Sequence, residues 1–149
     1  MWAVIDRRIV RSWFMRATIH TITDADAPTL RAFTQPTIER SIRAKWAEAL
    51  AGIDLAEMQR VVHAFVSTPR TPGELVAHLA ERWPDGPDAL TVTNAAKAIV
   101  PLVQVPPRGV WNRSGMVRFA ALDDWIGRPV PLKVDPAPIL RRYLAAYGP

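Results

Sequence analysis

Residues 71–122 read TPGELVAHLAERWPDGPDALTVTNAAKAIVPLVQVPPRGVWNRSGMVRFAAL, and this stretch indicates the fold of the chain. Its first four residues form a capping box with proline at the first helical position, so they predict a helix to about Trp83. A turn at residues 84–87 and a second helix over residues 88–100 follow. Two short β-runs, LVQVPP and MVRFAAL, then flank the glycine-containing turn RGVWNRSG and predict a β-hairpin.

The segment before this stretch adds one more helix. Asp54 is a preferred N-cap residue, and apolar residues at helical spacing predict a helix that ends near Ser67. From residue 54 to residue 122 the order is therefore three helices followed by two strands. That is the order of a winged helix, in which a β-hairpin wing follows a helix-turn-helix. We predict an α+β fold, mainly α, built around a winged helix.

The flanking segments predict partial elements of neighbouring winged-helix units. Residues 9–22 alternate with period two and predict one or two strands, with Arg16 and His20 on one face. A short helix to about Phe33 and a second helix from Pro36 to Gly52 follow. After residue 128 comes a proline-rich linker and a last helix from Pro138.

These elements predict three segments. Residues 1–52 are an N-terminal β-segment, the wing of a preceding unit, with its linking helices. Residues 53–128 are the winged-helix domain, and residues 129–149 are a linker with the opening helix of a further unit.

The composition narrows the function classes. The 149 residues contain no cysteine, which excludes disulfides, thiolate catalysis and cysteine-ligated metals. No apolar run approaches the roughly 20 residues that cross a bilayer, and charges interrupt the N-terminus, so we predict a cytoplasmic protein without membrane contact. The net charge of +5, carried mainly by arginine, suits a polyanionic partner. A GC-rich genome would produce the same arginine bias.

Several segments together resemble a known family. RIVRSWFMRATIHTI, TPGELVAHLAERWP, LVQVPPRGVWNRSG and DDWIG, in this order, are similar to segments of bacterial multi-winged-helix DNA-binding proteins. That family includes DNA glycosylases that unhook interstrand crosslinks and excise alkylated purines. The resemblance covers nearly the whole chain, and it implies a winged-helix fold, double-stranded DNA as partner and a context of DNA repair.

The chain also departs from the family pattern. Longer members carry three tandem winged helices, and the resemblance implies that this chain corresponds to an internal portion of such a protein. The glycosylases have a glutamine-containing catalytic motif before the Met-Arg-x-Thr-x-His segment, whereas Gln35, Gln59 and Gln104 all follow it. Ala17 stands where the family usually has glycine. The resemblance therefore implies DNA binding but gives no catalytic residue for this chain.

The predicted helix over residues 88–100 and the wing supply the main candidate contacts. The last helix of a winged helix usually enters the major groove, while the wing contacts phosphate or the minor groove. On the helix these candidates are Thr91, Asn94 and Lys97; a packing helix inside a multi-domain array is the alternative. In the wing they are Arg108, Trp111, Asn112, Arg113 and Arg118. Trp111 would stack on a base or pack onto the core.

Arg16 and His20 are further candidates for binding phosphate or positioning a flipped nucleotide. A hydrogen-bonded structural role is the alternative for His20. The basic residues Arg40, Arg43 and Lys45 are interpreted as the solvated face of their helix. We predict no metal site, because the three histidines lie far apart and the side chains of adjacent Asp123 and Asp124 point apart. No cofactor is expected.

Three functional hypotheses follow. The first is a DNA-binding module that contacts the duplex backbone. The second is a DNA glycosylase relative with a displaced active site, and the third is a protein-interaction module. A homodimer is a further alternative, because an incomplete wing would leave a strand edge available for pairing with a second copy.

Overall fold

The computed structural model describes residues 2–86 and 88–148, which form one antiparallel sheet and a set of helices. The strands are β1 (Ile9–Trp13), β2 (Ile19–Thr23), β3 (Leu102–Gln104) and β4 (Phe119–Ala121). The helices are α1 (Ala27–Lys45), α2 (Leu55–Phe65), α3 (Pro72–Arg82), α4 (Ala89–Ile99), α5 (Leu122–Ile126) and α6 (Ala137–Tyr147).

The four strands lie in the order β2-β1-β3-β4, and every neighbouring pair is antiparallel. The predicted hairpin is confirmed, since Gln104 of β3 pairs with Phe119 of β4. β1 joins the two halves of the sheet, with Ser12 opposite Val103. The buried Ser12 hydroxyl also donates to the carbonyl of Leu102, which satisfies both polar groups.

The core has two parts. The larger packs α1–α4 around fully buried side chains such as Val62, Leu75 and Ile99. The smaller lies at the sheet, where Val10 of β1 and Phe14, the residue after β1, cluster with Leu122. Every helix except α6 buries apolar side chains in this core, and that burial supplies the main stabilisation of the fold. α6 has no buried residue in the described chain.

The predicted helix starts are confirmed for three helices. The side chain of Asp54 accepts a hydrogen bond from the Ala56 amide at the start of α2. Thr71 and Glu74 form both bonds of the capping box of α3. Hydrogen bonds that the Thr71 amide and then the Thr71 hydroxyl donate to the Glu74 carboxylate hold the pKa of Glu74 below its ordinary value. Asp88 caps α4 by accepting from the Thr91 amide.

The structure contains two strands in the segment where one or two were predicted, but two details of the predictions are wrong. Period two does not continue through residues 9–22, because a 3₁₀ turn at Met15–Ala17 separates β1 from β2. Arg16 and Ala17 both adopt left-handed backbone there, with φ of 55° and 52°. Arg16 therefore belongs to a turn and does not share a strand face with His20.

The second correction concerns Pro36. Two helices were expected around it, but α1 runs continuously through Pro36 and ends at Lys45. A proline inside a helix removes the bond to the carbonyl four residues earlier and costs about 3 kcal/mol. Burial of Ala32 before the proline and of Ile38 and Ile42 after it compensates for that loss.

The chain thus has a mixed α+β fold, about half helical, with one small four-stranded antiparallel sheet. Within the described ranges, no helix is both long and apolar enough to cross a bilayer.

Candidate nucleic-acid interface

A basic loop, residues 105–118, connects β3 to β4. Arg108, Arg113 and Arg118 are exposed on it. Trp111 is 84% exposed and Met116 is 71% exposed, so the loop carries two large apolar side chains in water. Trp111 does not pack on the core, so that alternative is wrong for this residue.

The loop has a defined shape. Val110, in the middle of the loop, is buried against the protein. Asn112 adopts a left-handed φ of 54°. Gly109 has a φ of 86°, and a Cβ there would collide with the side chain of Arg11 on β1. Arg11 therefore packs beside the loop, a contact between distant residues that their spacing does not indicate.

Positive charge dominates this part of the chain. From Ala89 to Leu122 there are four basic residues and no acidic one. Among the ion pairs of the described residues, none includes Arg108 or Arg113. Arg118 donates to the Pro69 carbonyl at 3.3 Å, which anchors the base of the loop and leaves the charge exposed.

A second basic surface lies where the β1–β2 turn, the end of α1 and α4 meet. We call this cavity of about 440 Å³ the basic groove. It contains the predicted residues Arg16, Asn94 and Lys97, which lie far apart in the sequence. The full lining is Trp13, Arg16, Ala17, Ser41, Ile42, Lys45, Trp46, Asn94, Lys97 and Ala98.

The cations of the groove have no acidic neighbour in its lining. Lys97 is half-buried, and this loss of solvent lowers the pKa of its ammonium group. The Lys45 ammonium lies 4.7 Å from the centre of the Trp46 ring, in cation–π geometry. Lys45 is exposed, as expected for the solvated face of its helix, and it also lines the groove, which only the tertiary structure shows.

A buried arginine lies behind the groove. The Arg31 side chain is fully buried and donates to the carbonyls of Trp13 at 2.7 Å, Ala98 at 2.6 Å and Ile99 at 2.8 Å. Burial lowers the pKa of Arg31 to about 10, while the charge of Glu39 acts in the opposite direction. The guanidinium therefore remains cationic at neutral pH and ties α1 to β1 and to the end of α4.

The remaining predicted residues lie elsewhere. The Thr91 hydroxyl donates to the Asp88 carboxylate at 2.9 Å, so it contributes to the start of α4. The His20 ring has its Nδ1 2.9 Å from the Thr18 carbonyl and lies edge-on to Phe14. Neither residue lines the basic groove.

A larger cavity of about 660 Å³ lies between α1, α2 and residues 130–132. In it, Glu39 accepts hydrogen bonds from the side-chain amides of Gln35 at 2.7 Å and Gln59 at 3.4 Å. His63 is 3.0 Å from both carboxylate oxygens of Asp123.

The position of His63 corrects one sequence argument about metals. Ligand atoms of His63, Asp123 and Asp124 lie within 4.8 Å of one another, so the two carboxylates do not diverge. The contact spans 60 residues, and residue spacing therefore could not indicate it. The half-buried contact between His63 and Asp123 joins α2 to α5.

Comparison with known proteins gives two matches. Residues 3–149 match a family model described as DNA glycosylase AlkZ-like. The structure is similar to that of Streptomyces sahachiroi DNA glycosylase AlkZ, with a TM-score of 0.74 at 21% sequence identity. The match covers 99% of this chain and 42% of that chain, so this chain spans less than half of its length. None of the curated proteins matches.

Proposed function

Because this chain belongs to the AlkZ-like DNA glycosylase family, we propose that it binds double-stranded DNA and acts in DNA repair. One observation carries the proposal. The basic loop exposes three arginines around an 84% exposed Trp111, in a stretch without acidic residues. Guanidinium groups match phosphate oxygens bidentately, and such contacts supply most of the sequence-independent affinity for DNA. A chromosomal partner would place the protein in the bacterial cytoplasm.

We further propose that α2–α4, β3 and β4 form a winged helix, with the basic loop as its wing. The order of elements and the antiparallel pairing of β3 with β4 support this assignment. Residues 53–128 would then be the winged-helix domain. Residues 1–52 would supply the wing of a preceding unit, and residues 129–149 the start of a further one.

In this arrangement α4 faces the DNA. Its buried side, which includes Val92, Ala95 and Ile99, packs into the core. Asn94 and Lys97 lie on the opposite side, three residues apart and less buried, so both point the same way. Asn94 is suited to adenine edges and Lys97 to guanine or phosphate.

The test is a titration of labelled duplex DNA by fluorescence anisotropy at several salt concentrations. Each phosphate contact contributes roughly 0.9 to the slope of log K against log salt. We expect Arg113→Ala to weaken binding and to lower this slope by about one. Arg40→Ala, an exposed arginine outside the loop and the groove, is the matched control and should leave the slope unchanged. An unchanged slope for Arg113→Ala, or no binding at low salt, rejects the wing contact.

Base excision is a second candidate function. The favourable observation is Glu39, a carboxylate that two glutamine amides hold at a cavity of about 660 Å³. Such a carboxylate is suited to orient a water molecule for attack on a glycosidic carbon. Release of free base from an alkylated duplex, lost in Glu39→Gln but retained in Glu81→Gln, would establish it. No release at high enzyme excess would reject it.

A further inference from the structure

We propose that the basic groove is a discrete phosphate site, which holds one phosphate group of a DNA strand at a place separate from the basic loop. The inference rests on the proposed function, since it assigns the phosphate to DNA. It adds a second anchoring point and names its ligand, a nucleotide phosphate with its attached sugar.

The charges of the groove support this ligand. Arg16 comes from the β1–β2 turn, Lys45 from α1 and Lys97 from α4, so three separate elements each contribute one cation. No acidic residue lines the groove, and these three cations take part in none of the ion pairs of the described residues. Arg16 and Lys45 are exposed and Lys97 is half-buried, so an anion in the groove would be attracted by all three charges.

The buried guanidinium of Arg31 adds to the positive potential. Two of its acceptors are the carbonyls of Trp13 and Ala98, and both residues also line the groove. Its charge therefore lies directly behind the groove wall, in an interior that screens it poorly. Glu39 compensates Arg31 in part but is absent from the groove lining; it lines the larger cavity.

An ordinary structural role does not account for Lys97. Cations near the end of a helix often complement its free carbonyls. At the end of α4, however, the carbonyls of Ala98 and Ile99 already accept hydrogen bonds from Arg31. Lys97 is thus partly desolvated without a carbonyl or carboxylate partner among the described hydrogen bonds, and burial of an uncompensated ammonium is unfavourable.

The other lining residues suit a nucleotide. Asn94 and Ser41 offer neutral donors to phosphate oxygens, and Trp46 offers an apolar surface to the sugar. The volume of about 440 Å³ lies within the range of sites for small ligands. Arg16 is presented by left-handed backbone, a costly conformation that persists where the surrounding structure fixes it.

The test uses nuclear magnetic resonance of the full ¹⁵N-labelled chain. The probes are inorganic phosphate, deoxyadenosine monophosphate and the uncharged nucleoside deoxyadenosine. We expect phosphate and the monophosphate to shift the Asn94 side-chain amide and the backbone amide of Lys97, whereas deoxyadenosine leaves both in place. Lys97→Gln should weaken binding of the monophosphate about tenfold, the loss of roughly one charge-assisted hydrogen bond. Lys45→Gln is the second variant. Arg40→Gln, an exposed arginine outside the loop and the groove, is the control and should leave the affinity unchanged.

The outcomes separate this inference from the proposed function. Duplex binding through the loop without any groove shift by tens of millimolar phosphate overturns the phosphate site and leaves DNA binding intact. Equal affinity in Lys97→Gln and the unaltered protein also overturns it. Groove shifts with the monophosphate, together with weaker duplex binding in Lys97→Gln, support it. Groove shifts without duplex binding reject the proposed function and with it the assignment to DNA.

Discussion

Replacement of Arg31 by methionine tests whether the hydrogen bonds of this buried arginine stabilise the protein behind the basic groove. Arg31 donates three hydrogen bonds, to the carbonyls of Trp13, Ala98 and Ile99. After Arg31→Met, Ile99 still accepts from the side-chain amide of Gln35 at 2.7 Å. The carbonyls of Trp13 and Ala98 lose their Arg31 donor.

The expected loss follows from those two carbonyls. An acceptor left unsatisfied in the interior costs about 1–3 kcal/mol, so two cost about 2–6 kcal/mol. Removal of a buried charge works in the opposite direction, because its desolvation penalty disappears. We expect a net loss of about 3 kcal/mol in the free energy of unfolding, or a fall in Tm of about 6–12 °C for a domain of this size.

Urea denaturation measures this loss. Arg40→Met is the control, because Arg40 lies exposed on the same helix and should change stability by less than about 0.5 kcal/mol. A change below about 0.5 kcal/mol in Arg31→Met itself, or a gain, would refute the reasoning. It would mean that desolvation of the guanidinium cancels its three hydrogen bonds.

Three further predictions concern α4, α1 and the sheet edge. The Thr91 amide holds the pKa of Asp88 below its ordinary value of 3.8, so the stabilisation is present above that pH and lost as the pH falls through the folded-state pKa. Asp88→Ala should therefore lower the urea midpoint at pH 7 and less so at pH 2–3; an equal effect at both would contradict it. Pro36→Ala restores a donor inside α1 and should raise stability by about 1 kcal/mol in the same assay, whereas a loss would show that the proline fits its site. β2 is an outer strand of the sheet, so we expect self-association through its edge that Ile19→Lys abolishes; sedimentation as a monomer at every concentration would disprove it.

The sequence predicted correctly those helix starts and strands that depend on residues only a few positions apart. The capping box at Thr71 and Glu74 and the N-cap at Asp54 were readable, because each bond spans two or three residues. The β3–β4 hairpin was readable for a similar reason, since a turn joins two short apolar runs. The expected break at Pro36 was wrong, because propensity ignores the burial that holds α1 together.

In the candidate site, too, residues close together in the sequence could be predicted as a group, whereas residues far apart could not. The basic loop could be predicted, because its arginines and Trp111 lie within eleven residues of one another. Arg16, Asn94 and Lys97 were each proposed, but nothing in the sequence indicated that they line one groove. Arg11 and Lys45 were missed as members of these surfaces, because lysine and arginine on a helix or strand are most often solvated.

The sequence by itself determined the order of helices and strands after residue 54, the positive charge of the loop and the resemblance to a family. These depend on residue type and on spacing over a few positions, where one backbone period fixes the neighbours. Only the tertiary structure decided that β1 pairs with β3, that Arg31 is buried behind a groove and that His63 contacts Asp123. Those contacts join residues 60 or more positions apart. They form only when the helices and the sheet pack around the common core, and no local pattern in the sequence records that packing.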